Sequence, residues 1–168
     1  MKNSTKFLAS AVAAVALFFS IDANAQAAPK FGIGLNVGAG TSTGQSLAIG
    51  GDLRYQFDID KQLSVPVTAG YTSIQYKEAY GDISYSYIPV KAGLKIFFSN
   101  TGAGAYGLAE AGAAFGVGDV SGTNFVYSPA IGYAWSNGLD LAAKYEGITA
   151  NGGSTGYAGI RLAYGFKL

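Results

Sequence analysis

The stretch "GIRLAYGFKL", Gly159–Leu168, decides the fold. Ile160, Leu162, Tyr164, Phe166 and Leu168 alternate strictly with Arg161, Ala163, Gly165 and Lys167. A period of two residues predicts a β-strand with one apolar and one polar face. The apolar face carries aromatic rings, and the other carries cations and small residues. Such a strand fits either a soluble sheet with its oily side inward or a membrane sheet with its oily side outward.

The same alternation recurs along the chain and predicts eight segments in all, separated by turn-forming clusters. Phe31, Ile33, Leu35 and Val37 alternate with glycines and Asn36, and Leu47, Ile49, Leu53, Tyr55 and Phe57 alternate with Asp52, Arg54 and Gln56. Leu63, Val65, Val67, Ala69 and Tyr71 form a third set. In the fourth, Ile83, Tyr85 and Tyr87 hold one phase, and Ile88, Val90, Leu94, Ile96 and Phe98 hold the other. A β-bulge beside Pro89 is expected to reset that phase, since proline cannot donate to a ladder. The fifth, around "AGAYGLAEAGAAFGV", carries small residues on both faces. Phe125, Tyr127, Ile131, Tyr133 and Trp135 mark the sixth, Leu139, Leu141 and Tyr145 the seventh, and the opening stretch the eighth. No helical period competes, and segments of about ten residues suit a tilted strand crossing a bilayer.

Aromatic positions choose between the two solvents. With strands running alternately up and down, one set of strand ends collects Phe31, Tyr55, Phe57, Phe98, Tyr133, Trp135, Tyr164 and Phe166. The opposite ends collect Tyr71, Tyr85, Tyr87, Phe115, Phe125, Tyr127 and Tyr145. Two aromatic girdles around an aliphatic band are what a membrane barrel needs at its two headgroup levels. A soluble core has no reason to sort aromatics to both rims.

The polar face agrees. It carries Asp52, Arg54, Lys91, Lys95, Glu110, Asp140, Lys144, Glu146, Arg161 and Lys167. Arg or Lys facing lipid costs about 2–4 kcal/mol near the midplane. Summed over the set, that would rival the whole stability of a domain. These residues are therefore expected to line a lumen as a mixed-sign network. If "SNTG" is a hairpin centred on Asn100 and Thr101, Lys91 falls opposite Glu110, and Lys91 or Lys95 is expected to contact Glu110.

Composition sets further bounds. Gly (25), Tyr (12) and Phe (10) are abundant, and Pro (4) is sparse. That profile suits a barrel whose lipid-facing residues never form a long run. Residues 1–25 read as a cleaved secretory signal. Lys2 and Lys6 precede the apolar run Phe7–Ile21, and "ANA" at Ala23–Ala25 offers a cleavage site before Gln26. The run is short of the roughly 20 residues a spanning helix needs. Residues 26–168 then form one domain with balanced charge. No basic stripe is present, which excludes nucleic acid. The chain has no Cys and no His. It thus lacks a lipoprotein anchor, disulfide staples, the commonest general base and the commonest metal ligand. Neither a catalytic site, a cofactor nor a metal is expected.

The stretches "YIPVKAGLKIFF" (Tyr87–Phe98), "AYGLAEAG" (Ala105–Gly112), "LDLAAKYEGI" (Leu139–Ile148) and the terminal "GIRLAYGFKL" carry a family resemblance. The domain resembles the small outer-membrane β-barrel, or porin-family, domain, and is similar to the barrel of outer-membrane protein A and to outer-membrane protein X. The resemblance implies an all-β, eight-stranded, antiparallel up-and-down transmembrane barrel in the bacterial outer membrane, with a lumen filled by charged networks. It also implies roles in envelope integrity, adhesion or surface binding. The final strand is similar to the signal read by the barrel-assembly machinery. That signal usually ends in Phe or Trp, whereas here Leu168 is last and the ring sits at Phe166.

Four function classes follow. The first is a structural or surface-binding barrel in membrane lipid, with exposed chemistry on Gln75–Asp82 and Thr149–Ser154 and an unspecified surface ligand. The second is a narrow conduit for small solutes or ions, although eight strands leave only enough room for side chains. The third is a rim enzyme, which the missing His disfavours. The fourth is a soluble, exported lipocalin-like binder.

Overall fold

Residues 30–77, 84–118, 122–150 and 153–167 are described by a computed structural model. The expected signal at 1–25 lies outside the described residues, as do 78–83 and 151–152 of the expected loops. The strands are β1 (Lys30–Gly40), β2 (Gln45–Asp58), β3 (Leu63–Tyr76), β4 (Ser84–Phe97), β5 (Gly104–Val117), β6 (Thr123–Ala134), β7 (Leu139–Ala150) and β8 (Gly153–Lys167). Each pairs antiparallel with its neighbours in chain order, and the eight close into a barrel. β8 seals onto β1 over eleven residue pairs, from Lys30↔Lys167 to Gly40↔Tyr157. No sheet edge is left unpaired, the condition for placing strands in hydrocarbon.

Strand lengths of 11–15 residues exceed the roughly ten read from alternation. The start of β1 and the end of β8 share one end of the barrel with the turns after β2, β4 and β6. The strand ends at Gly40, Tyr76, Val117 and Ala150 lie at the other, the loop end. The terminal-end turns are short and locally specified. Asp60 Oδ1 accepts from the amides of Gln62 (2.6 Å) and Leu63 (2.7 Å). Between β6 and β7, Trp135 N donates to Leu139 O (2.8 Å), and Gly138 sits at φ 97°, where a side chain would be strained.

Two expectations are corrected. β4 carries no phase slip at Pro89, and its register with β5 is uniform from Ser86↔Val117 to Phe97↔Tyr106. Its register with β3 is likewise the same on both sides of Pro89. The register shift in this part of the sheet falls instead in β2, between Gln45 and Ala48. Tyr87 accordingly shares the inward phase of Lys91 and Lys95 and is fully buried, and Tyr85 packs partly buried beside it. The second correction concerns the β4–β5 hairpin, which is centred one residue later than expected. Ser99 and Thr101 hydroxyls both donate to Ala103 O, and Gly102 and Gly104 take positive φ, which lengthens the turn. Glu110 therefore lies opposite Gly93, and Lys91 opposite Gly112.

Outer and inner faces have opposite chemistry. Leu35 (65% exposed) and Ile131 (68%) stand on an exterior of Ile, Leu, Val and aromatic residues. Asp52, Arg54, Lys91, Lys95, Glu110, Asp140, Glu146 and Arg161 are buried inside. A water-soluble barrel would have these faces exchanged.

Candidate functional site: the barrel interior

Alternation aims every second side chain of each strand at the axis, and the closed register stacks those chains into layers. Towards the loop end, beneath a polar cluster in which Gln45 Nε2 donates to Thr155 Oγ1 (2.7 Å), is an apolar layer of Ala48, Ile74, Tyr87, Ala114, Val126, Ile148 and Tyr157, each essentially inaccessible. No charged residue belongs to this cluster.

Below it lies the ionic layer. Glu146, from β7, takes ammonium donors from Lys91 of β4 and from Lys144 (3.0 Å), and the Tyr87 hydroxyl donates to it at 2.8 Å. Asp52 is gripped by the Arg161 guanidinium (Nη2–Oδ1 2.6 Å, Nε–Oδ2 3.0 Å) and accepts from Asn36 Nδ2 (2.7 Å). Glu110 meets Arg54 Nη2 at 3.1 Å, and the Thr68 hydroxyl donates to it at 2.6 Å. Asp140 takes Lys95 Nζ (2.8 Å) and the Tyr106 hydroxyl (2.6 Å). Each carboxylate thus has at least two donors, the condition under which buried charge is tolerated. Lys95 Nζ also lies 3.8 Å from the Tyr106 ring centroid, a cation–π contact.

Towards the termini the interior opens. Gln56, Ser64 and Asp58 form a smaller cluster, and Lys30 closes on Asp58 at 2.7 Å. A vestibule of about 1060 Å³ follows, with Arg54, Lys95, Asp140 and Arg161 in its floor and Lys61 and Trp135 at its mouth.

The expected contact of Lys91 or Lys95 with Glu110 is replaced: Glu110 pairs with Arg54, Lys91 with Glu146 and Lys95 with Asp140. The two-residue change in register moves Lys91 away from its expected position opposite Glu110. The side chain of Lys167 lies outside the described residues. Of the expected girdle residues, Tyr87 is interior because its hydroxyl finds Glu146, and Tyr85 follows its phase. Phe31, Tyr55, Phe57, Tyr71, Phe98, Phe115, Phe125, Tyr127, Tyr133, Trp135, Tyr145, Tyr164 and Phe166 lie in the outward phase of their strands. At the terminal end they pair along strands: Tyr55–Phe57 (4.7 Å between centroids), Tyr133–Trp135 (4.8 Å) and Tyr164–Phe166 (5.0 Å). At the loop end, Tyr127 packs on Phe125 (6.3 Å) and Tyr145 (6.0 Å).

Sequence reading left out the interior aromatics Phe97, Tyr106 and Tyr157, and it set Asn36 and Gln56 on the polar face without giving them carboxylate partners. The signal was present, because Tyr106 shares phase with Glu110, Tyr157 with Arg161 and Phe97 with Lys95. A charged residue two or four positions away marks the face.

No family model matches the chain, and no curated protein matches it in sequence. Solved structures do. The crystal structure of Ail, the attachment invasion locus protein of Yersinia pestis, is similar at 17% identity and TM-score 0.59, over 84% of this chain and all (100%) of that one. The N-terminal β-barrel domain of Pseudomonas aeruginosa OprF is similar at 15% identity and TM-score 0.58, over 82% and 97% of the two chains. Neisserial surface protein A follows at 14% identity and TM-score 0.55, over 82% and 97%. At such identity the likeness is one of fold, and the closed antiparallel register and apolar exterior agree with it. The chain is a closed, eight-stranded antiparallel β-barrel with the fold of these small outer-membrane proteins.

Proposed function

We propose that this chain is a non-enzymatic integral protein of the bacterial outer membrane, with a structural, envelope-integrity or surface-binding role and an interior packed with side chains. One observation carries the reading: aliphatic and aromatic residues cover the exterior while paired ions fill the interior. The outward rings Tyr55, Phe57, Tyr133, Trp135, Tyr164 and Phe166 would sit at one headgroup level, and Tyr71, Phe125, Tyr127 and Tyr145 at the other. On this reading β8, which ends the β-ladder and closes onto β1, is the segment offered to the assembly machinery. Export with loss of residues 1–25 belongs to the same proposal.

The vestibule gives a narrow conduit its best argument. Against it stand the ionic layer and the apolar layer beyond, both built of buried side chains in a barrel of only eight strands. Planar-bilayer recording separates the two. Purified protein is expected to give no unitary current, and reproducible single-channel steps would replace this reading with the conduit. Fractionation with boiled and unboiled gel mobility tests the location. The chain is expected in the outer-membrane fraction with a heat-dependent band, and recovery from the soluble fraction would refute membrane integration.

A further inference from the structure

The ionic layer is not neutral. Among the described residues its buried cations are Arg54, Lys91, Lys95, Lys144 and Arg161, and its carboxylates are Asp52, Glu110, Asp140 and Glu146. Asp58 does not redress the difference, because Lys30 already neutralises it. Glu146 serves two ammonium groups, Lys91 and Lys144, and Asp140 serves Lys95 and, at 3.8 Å, Arg161, so the surplus positive charge is shared among the cations around these two carboxylates. An unmatched charge withdrawn from water is unfavourable by far more than an unmatched hydrogen bond.

Beside Lys144 the packing leaves a small void of about 10 Å³, lined by Arg54, Tyr106, Glu110, Ser128, Lys144 and Arg161 among others. Three of these residues are cations and one is a carboxylate. Arg54 is only 6% exposed and commits Nε to Thr68 and Nη2 to Glu110, while its buried Nη1 meets no hydrogen-bond acceptor. Surplus charge and the void therefore meet at Arg54, the residue whose guanidinium keeps an unsatisfied nitrogen.

We infer that this void binds one small monovalent inorganic anion of the halide class, held by Arg54 Nη1 and by the field of Lys144 and Arg161. The void has room for about one water-sized particle, which excludes sulfate, phosphate and carboxylates. A water there would satisfy Nη1 but leave the charge unmatched; a halide does both. The path of entry is the vestibule, because Arg54 and Arg161 line both it and the void.

The test is thermal unfolding of the mature barrel in detergent micelles, followed by gel mobility, in sodium bromide, chloride or gluconate at equal ionic strength. The midpoint is expected to rise by roughly 4 °C for each tenfold increase in bromide beyond its dissociation constant. Gluconate, too large for the void, should give none. Lys144→Met brings cations and carboxylates to parity while leaving Glu146 its partner Lys91, and should abolish the halide dependence. Crystals of the unaltered chain grown in bromide should show an anomalous peak beside Arg54 Nη1, which does not rely on any variant folding. Equal midpoints in bromide and gluconate, undiminished dependence in Lys144→Met, or no anomalous peak in the void would each overturn the inference.

Discussion

Lys91 on β4 and Glu146 on β7, separated by 55 residues of chain, form an ion pair across the interior of the barrel. Three strand-to-strand steps divide them around the wall. Their contact therefore depends on closure of the whole cylinder and not on any one hairpin. Both side chains are buried, and Tyr87 and Lys144 complete the carboxylate's shell.

Removing the negative charge leaves two buried ammonium groups, Lys91 and Lys144, without their counter-ion, and Lys144 then keeps only neutral acceptors such as Asn36 Oδ1 at 3.4 Å. Glu146→Gln is expected to destabilise the barrel by about 3–5 kcal/mol, the range for stripping one partner from a buried pair. Urea unfolding in micelles, followed through the single tryptophan Trp135, measures it. A change below about 1 kcal/mol, as for a surface ion pair, would mean that the interior is wetter than the burial of these groups implies.

The exterior makes a different demand. Leu35 stands exposed in the aliphatic band, opposite Leu162 and Gly51 on its neighbours. Leu35→Arg is expected to lower stability in lipid vesicles by about 2–4 kcal/mol. A barrel with water outside would accept arginine there almost freely, so a neutral result in reversible refolding counts directly against a lipid-facing wall.

Glycines set how tightly the wall coils. A Cβ on Gly93 would strike Ala109 O and stand 2.7 Å from Glu110 Cα, both backbone atoms of the adjoining strand. Nothing flexible can yield there. Gly93→Val is expected to destabilise by about 3 kcal/mol, the upper end of overpacking. At Gly153, where a Cβ meets nothing within 4 Å, alanine should be near neutral. Comparing urea midpoints of the two variants tests whether close strand approach is the cause.

Much of the fold was legible before any coordinates. Alternation in β2, β6, β7 and β8 assigned both faces correctly where large apolar residues oppose charges or small residues, and the loop-end stretches carrying Val126, Ile148 and Tyr157 inward lack that contrast. β4 was misread because tyrosine was treated as apolar. Tyr87 is amphipathic, and with an acceptor available inside it joined the charged face. Of the candidate site, the buried charged residues were legible from their phase, and their partners were not.

Period-two patterning determined from sequence alone that eight strands would form with one oily and one ionic face. It did so because side-chain direction in a strand is a local property that alternates residue by residue. Which cation meets which carboxylate was decided only by the tertiary structure. Partners such as Lys91 and Glu146 sit on opposite walls, and a single residue in the centring of the β4–β5 turn shifts every cross-strand neighbour by two. Turn geometry and barrel closure settle that register together, and no local stretch of sequence contains both.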